Sequence, residues 1–194
     1  ISRVLFIDFK GCAIDGKQFW DSMIIDCDFV KCGNVETKQA AVRLRNGDRD
    51  GGQCNNLTWI GGRFESNPWV SMFIGADEFD GPEFRSTARR RSRVNRFVSV
   101  KFHSTLPRAQ PYDHVWLTAA DDNTFSGNFT HSGASAFVLN DCIGNSFESA
   151  MVGNCDRYGF EFIDCPKVDP LNDLAGVKFY SAGGGCKLGK VRIE

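Results

Sequence analysis

Two groups of side chains in this sequence have the types and spacing for polymer chemistry. Asp77, Glu78, Asp80 and Glu83 fall within one short stretch, and Arg85, Arg89, Arg90, Arg91 and Arg93 follow directly. Paired carboxyls are what glycoside hydrolysis needs, roughly 5–5.5 Å apart for retention and about 6.5–9.5 Å for inversion. Guanidinium groups suit another route on a uronate polymer: they neutralise its carboxylate so that the adjacent proton can be abstracted and the chain cut by elimination. The structural alternative is a solvated acidic loop pairing with the arginines beside it. Glu161 is a further candidate acid or base, against the plainer reading of a surface carboxylate. Trp116 offers a ring face on which a sugar could stack, or a contact for a loop or a neighbouring subunit. The candidate catalytic residues are therefore Asp77, Glu78 and Glu161; the candidate substrate-binding residues are Trp116, Arg43, Arg85 and Arg89.

The elements that must position these groups are visible as a repeat. Val115–Phe125 and Phe137–Phe147 match in kind: an alternating apolar run, an acidic corner, then Asn-x-Phe. The offset is 22 residues, from Asn123 to Asn145 and from Phe125 to Phe147, and a third run starts at Phe160, 23 residues after Phe137. A fixed period of that size signals a solenoid, in which each repeat buries its apolar face by stacking on its neighbours. Short strands without hairpin signals imply parallel coils. The expected fold is all-β: a single-stranded parallel β-helix of about 22–23 residues per coil, with loop insertions at 76–93 and 103–114. In it Phe125 lies under Phe147 and Phe137 under Phe160, and Asn123 and Asn145 form an asparagine ladder. The competing solenoid, a leucine-rich repeat, fits poorly because the chain has 17 Phe and only 9 Leu.

Alternation along the strands points Arg43, Phe73, Trp116, Val138, Glu161 and Lys178 outward in one column. Asp121 and Asp122 stand at a corner, where Asp accepts backbone hydrogen bonds. Gly183-Gly184-Gly185 opens a tail that either caps the stack or continues beyond it.

Bulk properties narrow the classes. The 194 residues, opening on Ile1, read as one domain, 1–194, a processed product or a piece of a longer chain. A net charge of −1 argues neither for nucleic acid nor for a membrane surface, so neither is expected as a partner, and no apolar run is long enough to span a bilayer. The eight cysteines contain no Cys-x-x-Cys pair, so no metal is expected; the Asp-Cys pairs at 26-27, 141-142 and 164-165 read as free, small, apolar stackers at one corner. His103, His114 and His131 read as separate structural histidines, and no cofactor is implied.

The Asn-x-Phe coils at 123–125 and 145–147, with their period, resemble the right-handed parallel β-helix family, which includes pectate-lyase-like enzymes and bacteriophage tailspikes. The resemblance covers most of residues 20–180. It implies a right-handed stack and binding of a long carbohydrate on its flank, often with hydrolase or lyase cleavage; for a tailspike it implies a homotrimer in a virion tail appendage, or otherwise an extracellular protein, acting on a bacterial capsule, exopolysaccharide or O-antigen. It carries no catalytic motif onto numbered residues here. A non-catalytic structural or host-attachment segment is the alternative it leaves open.

Overall fold

Apolar runs of three or four residues, each closed by a polar corner, favour short strands and give no signal for hairpins. A computed structural model describes residues 1–17, 19–46, 53–75, 91–104, 112–131, 133–165, 172–180, 186 and 189–194. Among the described residues there is no helix, and every pairing between strands is parallel.

The strands form three long sheets and a short one. The first sheet comprises Leu5–Ile7, Asp28–Val30, Arg63–Glu65, Lys101–His103, Phe129–His131, Met151–Gly153 and Lys178–Tyr180. The second comprises Met23–Ile25, Thr58–Ile60, Arg96–Val98, Thr124–Ser126 and Ser146–Glu148. The third comprises Ile14–Lys17, Val42–Arg45, Met72–Gly75, Val115–Thr118, Phe137–Asn140, Tyr158–Ile163 and Gly189–Ile193. Ser92–Arg93 pairs with Ala120–Asp121 in the fourth. The chain visits third, second and first sheets in rotation, so each strand lies beside its equivalent from the next circuit.

Inward side chains of the three sheets share one continuous core. Because neighbouring strands are about 4.8 Å apart, identical positions stack ring on ring. Phe6, Phe29, Phe64 and Phe102 form one column with centroids 4.7, 4.8 and 5.0 Å apart. Phe97, Phe125 and Phe147 form a second at 4.6 and 5.0 Å, and Phe137 lies under Phe160 at 5.0 Å. Both Phe pairs expected from the repeat are present.

Corners are the harder problem, because a chain that turns inside a stack must still satisfy its backbone. Between the second and first sheets one residue does the turning. Asp26, Gly61, Ser99 and Gly127 have φ of 48, 66, 56 and 62°, and each N–H donates to a carbonyl of the next circuit at 2.8–2.9 Å. Gly62 follows at φ 77°, where a Cβ would lie 2.1 Å from the Cys27 carbonyl oxygen, so only glycine fits. At the entry to the second sheet an asparagine ladder takes over. Asn95 Nδ2 donates to Asn123 Oδ1 (2.9 Å), Asn123 Nδ2 to Asn145 Oδ1 (3.0 Å) and Asn145 Nδ2 to Asn172 Oδ1 (2.9 Å). The same oxygens accept the backbone N–H of Asn95, Asn123 and Asn145 at 3.0–3.2 Å. Asn123 and Asn145 were legible in advance; Asn95 and Asn172 extend the ladder at both ends.

Several expectations are corrected. The 22–23 residue period holds from Val115 through Phe137 to Phe160, but earlier circuits of the third sheet are longer, 28 residues from Ile14 to Val42 and 30 from Val42 to Met72. The ends of both expected insertions are regular: Ser92–Arg93 is a strand and His103 closes another, while 76–90 and 105–111 lie outside the described residues. The Asp-Cys pairs do not share a corner: Cys142 and Cys165 follow strands of the third sheet, whereas Cys27 follows one of the second. None of the eight cysteines is in a disulfide. Beyond the glycines, which lie outside the described residues, the tail supplies the last strand of the third sheet, Gly189–Ile193.

The ladder generates a stability prediction. Asn123→Ala removes the donor to Asn145 and strands the buried Asn95 N–H, and it should cost about 2–4 kcal/mol in urea unfolding. A loss under about 1 kcal/mol would show that the ladder is not needed.

Candidate functional site

The outer face of the third sheet gathers the chemistry. Register places Asp15, Arg43, Phe73, Trp116, Val138, Glu161 and Arg192 in one outward column. Lys178, expected there, belongs instead to the first sheet opposite Met151; the tail strand supplies Arg192 in its place. Of the candidate residues, Arg43, Trp116 and Glu161 thus share a face, with Trp116 two circuits from each of the others, or about 10 Å by strand spacing. Asp77, Glu78, Arg85 and Arg89 lie outside the described residues.

This face is partly covered. Phe73, Val138 and Glu161 are 6, 9 and 1 % exposed although alternation turns them outward. Phe73 packs with Ala40 and Val70 into a second, smaller apolar cluster, against which Trp69 and Trp116 lie half-buried. Trp69 stands at 5.9 Å to Trp116 in edge-to-face contact and at 5.0 Å to Tyr112. Three half-exposed rings therefore form an aromatic shelf beside the sheet.

A polar network fixes the shelf from below. Trp116 Nε1 donates to Asp113 Oδ2 (2.8 Å), and the Ser135 backbone N–H donates to Asp113 Oδ1 (2.6 Å). Ser135 Oγ donates to Glu161 Oε1. Glu161 Oε2 takes the Arg157 guanidinium at 2.7 Å, with Arg192 at 3.7 Å. Burial pushes the Asp113 carboxyl above the ordinary aspartate range; the bonds from Trp116 and Ser135 and the charge of Arg157 pull it back, and Glu161 pushes it further up. Two carboxylates thus share Ser135 beneath an aromatic surface. Sequence reading singled out Trp116 and Glu161 but not Asp113 and Ser135, which join them in this network and stand two residues ahead of the paired Val115 and Phe137, a place the repeat marks. Trp69, Tyr112 and Arg157 lie outside the strands, where the repeat gives no signal.

Two other clusters border the stack. Arg91, at the end of the arginine run, is buried: its guanidinium bonds Asp121 Oδ1 at 2.8 Å and Asp141 Oδ2 at 3.1 Å. Asp121 also accepts the Ile143 N–H at 3.1 Å, the turn role expected of it. The histidines are not separate. His103 and His131 stand 5.2 Å apart, and the buried His114 ring bonds the His131 carbonyl at 3.0 Å. Among the described residues no group of three or more His, Cys, Asp or Glu could hold a metal ion, and no helix is long and apolar enough to cross a membrane.

No protein-family profile and no curated protein matches the chain. Among solved structures, ORF18 of Geobacillus virus E2 is similar, with a TM-score of 0.57 and 18% identity over 93% of this chain and 36% of the viral one. The likeness is one of fold, and this chain spans about a third of that protein's length.

Burial lowers the His114 pKa to about 4, helped by the nearby His103 and His131. Its neutral form is favoured in the fold, so its contribution to stability is complete above about pH 6.5 and is lost as pH falls towards 4. His114→Gln should remove about 3 kcal/mol of acid-side loss, read as the difference between the two proteins' urea midpoints from pH 7 to 4. Parallel pH profiles would contradict this.

Proposed function

We propose that this chain is a right-handed, single-stranded parallel β-helix from a bacteriophage tailspike-type appendage, and that it binds a bacterial surface polysaccharide on the outer face of its third sheet. The rotation among three parallel sheets supports the solenoid, and the strong preference of parallel crossovers for one hand supports right-handedness. A solved neighbour that bears a virus name supports the phage origin. Capsule, exopolysaccharide and O-antigen are the substrate class, and a homotrimer in the virion is the working assembly.

The observation that carries the reading is the shelf of Trp69, Tyr112 and Trp116. Sugar rings have apolar faces that stack on aromatic side chains, and a rigid sheet holds those side chains at low entropic cost. Arg157 and Arg192 stand at one end of this face and Arg43 at the other, suited to acidic sugars. In this reading Asp77 and Glu78 supply the carboxyls for cleavage, with Glu161 one circuit from the end of the column, and Arg85 and Arg89 grip the polymer.

One observation favours the second reading, attachment without cleavage. Asp113 and Glu161, which border the shelf, engage all four of their oxygens with the protein itself. Both readings require binding at the shelf. Trp116→Ala should weaken binding to a recognised polysaccharide roughly 30-fold, equivalent to about 2 kcal/mol, in titration calorimetry. Unchanged affinity would reject the site. New reducing ends without unsaturated uronate absorbance would mark a hydrolase, and absorbance a lyase. Binding with neither product would assign attachment.

A further inference from the structure

We propose that Cys155 and Cys186 are a redox-active pair that closes to a disulfide on exposure to a small-molecule disulfide of the glutathione class, latching the last strand of the third sheet onto the stack.

The placement rests on register. Tyr158 lies opposite Gly189 in the pairing of the last two strands of the third sheet. Cys155 and Cys186 each stand three residues ahead of that pair, so the two occupy equivalent places on neighbouring circuits. Equivalent places are separated by about 4.8 Å of backbone, inside the roughly 4.4–6.8 Å between Cα atoms that a disulfide spans. Cys186 packs against the core cluster to which Cys155 belongs. The Cys186 thiol pushes the Cys155 thiol up, and burial with both thiols pushes the Tyr180 phenol up, so one small volume holds all three groups. The other cysteines do not combine these features. Cys142 and Cys165 are near one another, but both are buried, whereas Cys186 is half-buried and reachable by a reagent.

Exposure sets the order of the chemistry. The Cys186 thiolate attacks one sulfur of the reagent R–S–S–R, forming a mixed disulfide and expelling one thiolate. The Cys155 thiolate then attacks the Cys186 sulfur and expels the second. One S–S bond breaks and one forms, the protein dithiol is oxidised, and the two protons it loses end on two R–SH molecules. In the dithiol the neighbouring Cys186 thiol and burial both push the Cys155 thiol up; burial persists once Cys186 is in the mixed disulfide, so the second step is slow at neutral pH and accelerates in base.

The consequence reaches the outer face. Gly189–Ile193 carries Arg192, which sits over the Tyr158 ring at 5.6 Å and beside Glu161. A covalent link three residues before that strand holds Arg192 at the Glu161 end of the column.

The test exposes the folded chain to oxidised glutathione at mildly basic pH, blocks remaining thiols in denaturant and maps the peptides by mass spectrometry. The expected result is a fall from eight blockable thiols to six, with one cross-link joining Cys155 to Cys186. Amide exchange in Gly189–Ile193 should slow roughly tenfold, an effect reversed by dithiothreitol. Cys155→Ser should stop at the Cys186 mixed disulfide, with no cross-link. The proposal is overturned by a stable Cys186–glutathione adduct in the wild type without cross-link, by cross-links scattered over other cysteines, or by eight thiols remaining.

Discussion

A buried asparagine amide is the interaction on which this structure depends. A chain that stacks on itself must turn three corners per circuit, and every turn interrupts the ladder of strand hydrogen bonds. At the entry to the second sheet the amides of Asn95, Asn123, Asn145 and Asn172 bond in file, and the oxygens of Asn123, Asn145 and Asn172 each accept both a side-chain and a backbone N–H. The file works only if successive circuits hold identical register, because a slip of one residue would strand every member at once. The register it enforces is the one that places ring on ring in the phenylalanine columns. Polar ladder and aromatic stack are thus two consequences of a single spacing of about 4.8 Å between strands.

The same spacing explains which parts were legible in the sequence. Between Val115 and Cys165 circuits are close to minimal length, so Asn123 and Asn145, Phe125 and Phe147, and Phe137 and Phe160 recur at nearly constant offset. Asn95 and Asn172 perform the same task but stand 28 and 27 residues from their neighbours in the ladder, and the additional residues hide them. Alternation correctly turned Trp116 and Glu161 outward. It could not show that Glu161 is covered, because burial of an outward residue is decided by side chains such as Arg157 that lie off the strands. Lys178 was misplaced for a related reason: a last circuit that reaches the second sheet only through a bridge at Asp173 shifted the counting by one sheet.

Rigidity and exposure are combined on the outer face of the third sheet. Asp113 fixes the Trp116 indole, Ser135 ties Asp113 to Glu161, and Arg157 neutralises Glu161, so the aromatic shelf is held by a chain of bonds crossing three circuits. Buried carboxylates are costly unless every lone pair is used, and here each oxygen has a partner. The result is a preorganised surface of half-exposed rings, bordered by guanidinium groups, on a scaffold that has little freedom to deform.

The central claim is that this shelf is where an extended sugar polymer lies. The most direct measurement is a crystal structure of the chain soaked with an oligosaccharide released from a polysaccharide it binds. The account predicts a sugar ring face-on to Trp116 or Trp69, within van der Waals contact, with the chain running across circuits towards Arg157. An oligosaccharide ordered on the first or second sheet, with the Trp69–Trp116 shelf empty, would contradict it.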